Sequence, residues 1–341
     1  MQPIKLKPIF KEKIWGSDRL RKVFDKDLPA DSRIGESWEL VDFPTDCNTA
    51  VNEPYTDKTL REILHKSGLE LGFNDDQLDG PFGLLIKFLD AGDDLSIQVH
   101  PDRDACKVFP GAQLKTECWL VLAAEPDGLI YKGFKPGIGK KELENALLNG
   151  VVGQLLNVYP ARPGDFHFLP AGTVHALGAG VLAAEIQTPS DTTFRIFDWN
   201  RKDPAGKPRD LHITESLQYA HYTDGSSPEQ GLSDLVLSDD QKNLHAIAPL
   251  LGHATPLIDC EFFGVIRASL KQGKIDDFTS ERPAVMIALS GNGRIVLKSS
   301  DYPPTEYVPG DTIILPKLEH AQIEVDQPGD WLLTCLGPVK P

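Results

Sequence analysis

Apolar residues along this chain come in short runs cut by turn residues at close spacing, and most of the runs read as strands. The clearest are Ser37–Phe43 (SWELVDF), Gly83–Asp90 (GLLIKFLD), Leu95–His100 (LSIQVH), Glu117–Ala124 (ECWLVLAA), Gly128–Phe134 (GLIYKGF), Gly164–Pro170 (GDFHFLP), Val181–Gln187 (VLAAEIQ) and Thr192–Trp199 (TTFRIFDW). Many short strands separated by Gly and Pro predict an all-β sandwich or barrel. Helical periodicity is confined to Asp57–Leu71 and Gly139–Gly150, each with a Gly stop, and more weakly to Arg209–Ala220. The polar, turn-rich stretch His221–Asp234 reads as a linker, after which strand-like runs resume.

The pattern also repeats. Arg162–Leu177 (RPGDFHFLPAGTVHAL) and Val308–Ile323 (VPGDTIILPKLEHAQI) share Pro-Gly-Asp, an apolar strand, Pro, a short turn and His, the second copy being one residue shorter. The repeat predicts two related β-barrels in tandem. The expected division is an N-terminal barrel with helical insertions over 1–235 and a C-terminal barrel over 236–341.

Composition changes this picture only at its margins. With 341 residues, 40% of them hydrophobic, the chain can build two cores. No basic start precedes a long apolar run, so no signal peptide is expected, and the apolar runs are too short to span a bilayer. Five scattered cysteines without a C-x-x-C pair fit a reduced, cytoplasmic compartment. A net charge of −15 argues against a nucleic-acid or anionic-membrane surface, though a local cluster of Lys and Arg could still receive an anionic small molecule.

The Pro-Gly-Asp, Pro, His series resembles the second motif of the cupin superfamily, a double-sheet barrel that holds a metal in its mouth. The first copy has a matching upstream motif in "SIQVHPD…KTE"; the second has only "ALSGNGRIVL", without histidine or carboxylate. The resemblance therefore implies an active N-terminal barrel and a degenerate C-terminal one. The candidate metal ligands are Gln98, His100, Glu117 and His175. Gln98 and His100 lie two apart on one strand face, about 7 Å along the chain. Imidazole with carboxylate suits zinc, manganese or iron. His167 alternates with Phe166 and Phe168 and fits a structural role at least as well.

At the level of family, the chain resembles type I mannose-6-phosphate isomerase, also called phosphomannose isomerase, in its shorter bacterial form. The carrying segments are "PIFKEKIWG", "IGESWELVD", "LLIKFLDAGDDLSIQVHPD", "LKTECWLVL", "PAGTVHALGAG" and "AEIQTPSDTTFRIFDWNR", in that order. The resemblance implies one Zn2+ per chain on the four ligands and interconversion of mannose 6-phosphate and fructose 6-phosphate. It further implies that Lys115, Glu185 and Arg195 line the substrate pocket. Ser96 shares the strand face of Gln98 and His100 and is a candidate substrate contact. Lys87 and Trp15 are candidate pocket residues, with a strand lysine and a core tryptophan as the plain alternatives. Where longer members read His-Lys-Pro-Glu, this chain reads Leu114-Lys115-Thr116-Glu117, so no histidine role carries over, and their extra helical domain has little room here.

Aldose–ketose isomerisation needs a polarised carbonyl, a base that moves a proton between C1 and C2 through a cis-enediol(ate), and a clamp on the phosphate. The metal would act as Lewis acid, and Arg and Lys suit the phosphate. Glu185, Lys115 and metal-bound water are three candidate proton carriers, with Arg195 assigned to charge stabilisation or the phosphate. A non-catalytic sugar-binding cupin and an iron cupin dioxygenase are the competing functions.

Overall fold

In the computed structural model, which describes residues 1–202, 205–225, 254–280, 282–298 and 300–337, the strand Val181–Gln187 is buried from end to end. Period-two alternation sends its residues to two different cores. Leu182, Ala184 and Ile186 face one core, Val181 and Ala183 the other. Its neighbours divide in the same way: Ile86 and Phe88 against Leu89 and Ala91, Cys118 and Leu120 against Trp119 and Val121. A strand covered on both faces reads as a continuous apolar run, which is why these segments are so plain in the sequence.

The fold is mainly β, with four antiparallel sheets. The first half supplies two. A six-stranded wall sheet runs in the order Ile9–Ser17, Ile34–Leu40, Leu85–Ala91, Val181–Gln187, Glu117–Ala124 and Phe166–Leu169. A five-stranded rim sheet runs Phe194–Phe197, Ile97–Val99, His175–Leu177, Leu129–Phe134 and Leu156–Pro160. They share a core in which Trp15, Leu89 and Trp119 meet Ile130 and Leu177. The second half supplies five strands of a six-stranded back sheet and all of a four-stranded end sheet, joined by Met286, Ile313 and Trp331 from one and Phe278, Ile295 and Ile323 from the other. The outer faces of the wall and back sheets meet in the largest core, where Phe88, Leu120 and Leu182 lie with Val265, Ile287 and Leu332.

Helices and caps follow the sequence with local shifts. The first predicted helix occupies Leu60–Leu71, starting three residues late because Asp57 is left-handed (φ 63°) and Thr59 caps the helix in a capping box with Glu62. The second occupies Lys140–Asn149 between Gly139 and a left-handed Gly150. The third is only Ile213–Tyr219. Short helices at Arg19–Phe24, Asp75–Leu78 and Arg103–Val108 were not anticipated; each has fewer than two turns of periodicity to read. Of the expected linker, residues from 226 onward lie outside the described residues, and so does the boundary at 235.

The two Pro-Gly-Asp turns make the same four hydrogen bonds. Arg162 N–H donates to the Asp165 carboxylate (3.0 Å) and Val308 N–H to that of Asp311 (2.8 Å). Gly164 N–H reaches Val121 C=O and Gly310 N–H reaches Ala288 C=O, both at 2.8 Å. Val121 and Ala288 N–H each return to the Asp carbonyl at 2.9 Å, and Asp165 and Asp311 N–H close the turn at 2.9 and 3.1 Å. Both glycines have positive φ, 94° and 88°. One strand crosses the halves: Ile4–Lys5 pairs with Ile313 and Ile314 at the edge of the back sheet.

Candidate metal centre and active site

The inward-facing positions of the wall and rim sheets that are not apolar converge on one place. Glu117 opens its wall strand, and Gln98 and His175 are directly opposite each other in the rim sheet. His100 follows the rim strand Ile97–Val99, just before the Pro101 turn. His100, Glu117 and His175 bring ligating atoms within 4.8 Å of one another, all three buried. His100 Nε2 lies 3.3 Å from Glu117 Oε2, and His175 Nε2 lies 3.2 Å from Oε1. The Gln98 amide is 3.4 Å from His175 Nε2, and turning it over would present its oxygen there.

Backbone carbonyls settle which way the imidazoles point. His100 Nδ1 is 3.2 Å from Thr192 C=O, and His175 Nδ1 is 2.8 Å from Thr173 C=O. Each Nδ1 therefore carries a hydrogen, and each ring turns its Nε2 toward Glu117. Burial, followed by the charge of Lys115, pushes the His100 pKa down to about 3, so its ring is neutral. Burial works against ionised Glu117, but the charge of Lys115 leads the influences that hold the carboxyl well below its usual range. His100 Nε2 and both Glu117 oxygens are buried without a hydrogen bond. Lone pairs facing an anion in a dry site are mutually repulsive, and a cation among them satisfies all of them at once. The donor set fits a divalent metal.

A loop locks this arrangement. Thr188 Oγ1 donates to Leu114 C=O (2.9 Å), Ser190 Oγ donates to Gln113 C=O (2.9 Å), and Gln113 N–H donates to Thr192 Oγ1 (3.2 Å). The segment 188–192 thus ties the Lys115–Glu117 approach to the carbonyl that orients His100, the kind of outer support that fixes ligand geometry.

Beside these ligands opens a cavity of about 230 Å³. Ser96, Gln98, Lys115, Glu185, Arg195, Lys87 and Trp15 all line it, so the side chains singled out by sequence come together there. Lys115 Nζ sits 3.0 Å from Glu117 Oε2. Glu185 accepts from Trp119 Nε1 at 3.0 Å, while its other oxygen is buried without a hydrogen bond, 3.6 Å from Lys87 Nζ. Burial and then the charge of Glu117 raise the Glu185 pKa. Trp15 is at once cavity wall and core. His167 stands apart from the ligands, 6.2 Å from the Tyr159 ring.

Sequence reading missed Lys13, Glu36, Asp191, Thr193 and Arg209 in the lining. Glu36 is the most consequential. It accepts from Trp38 Nε1 (2.6 Å) and lies 3.0 Å from Lys13 Nζ and 3.8 Å from Lys87 Nζ. Burial opposes its charge, yet Lys87 and Lys13 prevail and its pKa falls to about 2. Lys87 is likewise desolvated, but Glu36, Glu185 and Asp191 raise its pKa. Glu36 and Trp38 alternate within "GESWEL", a signal that period-two reading could have used. Among the described residues the second half has no matching cluster: His320, the counterpart of His175 in the repeat, is exposed.

Residues 4–125 match the family model described as phosphomannose isomerase type I, catalytic domain. The mannose-6-phosphate isomerase ManA of Bacillus subtilis (strain 168) is 35% identical over 324 residues, covering 92% of this chain and 93% of that protein. The mannose-6-phosphate isomerase of Streptococcus mutans is 34% identical over 316 residues, 92% of each. Among solved structures, the mannose 6-phosphate isomerase from Bacillus subtilis gives a TM-score of 0.80 at 29% identity, over 98% of this chain and 100% of that one. A mutant of the phosphomannose isomerase from Salmonella typhimurium gives 0.71 at 17% identity, over 99% and 100%, a likeness of fold alone.

Proposed function

The chain belongs to the mannose-6-phosphate isomerase family, and from that premise we propose that it interconverts mannose 6-phosphate and fructose 6-phosphate with one Zn2+ held by Gln98, His100, Glu117 and His175. The observation that carries the reading is the buried His100–Glu117–His175 cluster, which adjoins through Gln98 and Lys115 a cavity rich in cations. A divalent ion in that cradle would polarise the sugar's carbonyl oxygen and stabilise negative charge on it. Neutral imidazoles and a glutamine leave Glu117 as the sole anionic ligand, which keeps the ion electron-poor.

The remaining steps fall to side chains. Glu185 suits the proton transfer between C1 and C2 through a cis-enediol. Its carboxyl is buried, burial and the charge of Glu117 raise its pKa, and one oxygen has no hydrogen bond. Lys115 is engaged with Glu117 and suits charge stabilisation beside the ion. Ser96 and Gln98 line the cavity where sugar hydroxyls would lie, and Arg195 brings a guanidinium for developing or phosphate charge. Neither a sugar-binding cupin nor a dioxygenase accounts for a raised carboxyl together with two arginines lining the same cavity. Five cysteines without a disulfide among them support a cytoplasmic location. No helix among the described residues is long and apolar enough to cross a membrane.

The test is a coupled assay for fructose 6-phosphate on a preparation whose metal content has been measured. Turnover that is lost with a chelator and restored by Zn2+ is expected. A fully metal-loaded preparation without turnover overturns the proposal.

A further inference from the structure

Most charges in the cavity are already matched. Lys115 lies against Glu117, Lys13 against Glu36, and Lys87 among Glu36, Glu185 and Asp191. The two arginines differ. Among the described residues Arg195 makes no ion pair; its Nη1 donates to Asp210 C=O (2.7 Å), and its Nε is buried without a hydrogen bond. Asp198, the nearby carboxylate, turns instead to Arg209 and Arg201. Arg209 Nε donates to Asp198 Oδ2 (2.8 Å) and Arg209 Nη2 to Oδ1, while Arg201 Nη2 shares Oδ1 at 2.6 Å. The carboxylate thus grips one edge of the Arg209 fork, and no bond among the described residues engages Nη1.

Backbone pairing sets where this fork stands. His212 N–H donates to Arg195 C=O (2.8 Å), and Arg195 N–H donates to His212 Nδ1 (3.1 Å). His212 therefore pairs as a single added edge position beside Arg195. Register places His175, Gln98 and Arg195 in one row across the rim sheet. With neighbouring strands about 4.8 Å apart, the backbone at His212 lies about 10 Å from that at Gln98, and Arg209, three residues before it, lines the cavity. A chain whose carbonyl end sits at the proposed metal ligands would extend its far terminus toward this side.

Resting on the function proposed above, we propose that Arg209, fixed by Asp198, is a specificity-determining clamp for the substrate's phosphate, acting beside Arg195. Asp198 is then a positioning residue. Two guanidinium groups beside each other, one without a carboxylate, form a site for a dianion.

Arg209→Ala, Arg209→Lys and Asp198→Asn should be compared with wild type on mannose 6-phosphate and on unphosphorylated mannose, with inorganic phosphate as competitive inhibitor. Arg209→Ala is expected to lower kcat/KM for the phosphosugar about 30-fold, mainly through KM, and to weaken phosphate inhibition about as much. Activity on mannose should stay within about two-fold. Arg209→Lys should recover part of the loss, and Asp198→Asn should shift KM and phosphate inhibition in the same direction. Unchanged phosphate inhibition, or an equal loss on both sugars, overturns the clamp. A wild-type protein inactive on mannose 6-phosphate would instead remove the functional reading itself.

Discussion

At the scale of single residues, Glu36 shows how a buried charge is kept and what it costs to change. A carboxyl with 8% exposure stays ionised because two lysines and the Trp38 indole replace its water. The gap between its ordinary 4.5 and about 2 is worth on the order of 3 kcal/mol. Because the folded value is the lower one, that stabilisation is present above about pH 4.5 and is lost as pH falls toward 2. Glu36→Gln is expected to unfold about 3 kcal/mol more easily than wild type at pH 7, with the difference closing near pH 2.5 in urea titrations. A difference that stays constant with pH would show that Glu36 contributes by shape and not by charge. Residues of this kind were the least legible in the sequence. A Glu in a strand reads as a solvated edge until its neighbours are known, and the partners of Glu36 come from Lys13 and Lys87, on two other strands. The candidate cluster was legible because His100 and Glu117 stand in motifs whose spacing carries meaning without the fold. Arg209 opened the weak helical pattern Arg209–Ala220, but the helix begins only at Ile213 and Arg209 lies ahead of it without regular structure, so periodicity gave no hint of its place in the cavity.

At the scale of elements, the rim strand Ile97–Val99 separates stability from chemistry in three residues. Ile97 and Val99 are fully buried in a core that includes Phe134, Leu143 and Ile196, while Gln98 faces the cavity. Val99→Ala is expected to cost about 2 kcal/mol of stability and to leave kcat/KM of the loaded enzyme within a few-fold of wild type. Gln98→Ala should do the opposite, weakening metal retention in dialysis about 10- to 100-fold with little effect on unfolding. Alternation is also why the strands were read well: Glu117–Ala124 and Val181–Gln187 have the bounds the pattern predicts. Boundaries slipped where a cap or a left-handed residue decides, as at Asp57 and Thr59. The sequence repeat has a structural counterpart at its turns, since both Pro-Gly-Asp turns make the same bonds.

At the scale of the whole molecule, the second half offers no counterpart of the metal cluster among the described residues, yet it covers the outer face of the sheet that carries the chemistry. Lys87 and Glu185 line the cavity and Glu117 joins the adjoining cluster from strands whose alternate residues, Phe88, Ile186 and Leu120, pack against Val265, Ile287 and Leu332 of the back sheet. Ile4–Lys5 adds a backbone tie, and Arg103, three residues after His100, forms a bidentate pair with Glu261 (3.0 and 2.8 Å). The Arg103 pair is exposed and contributes little by itself, so the apolar face must do the coupling. Stripped of that cover, the wall sheet would expose an apolar face to water and the ligand-bearing strands would lose their backing. The two halves should therefore melt together. Calorimetry is expected to give one transition, and Zn2+, whose proposed ligands all lie in the first half, should raise its midpoint for the entire chain by mass action. Leu332→Ala, about 3 kcal/mol destabilising and remote from the ligands, should lower that same single transition with and without metal. A split into two peaks, only one of them moved by chelation, would mean that the halves fold independently and that the second is no support for the site.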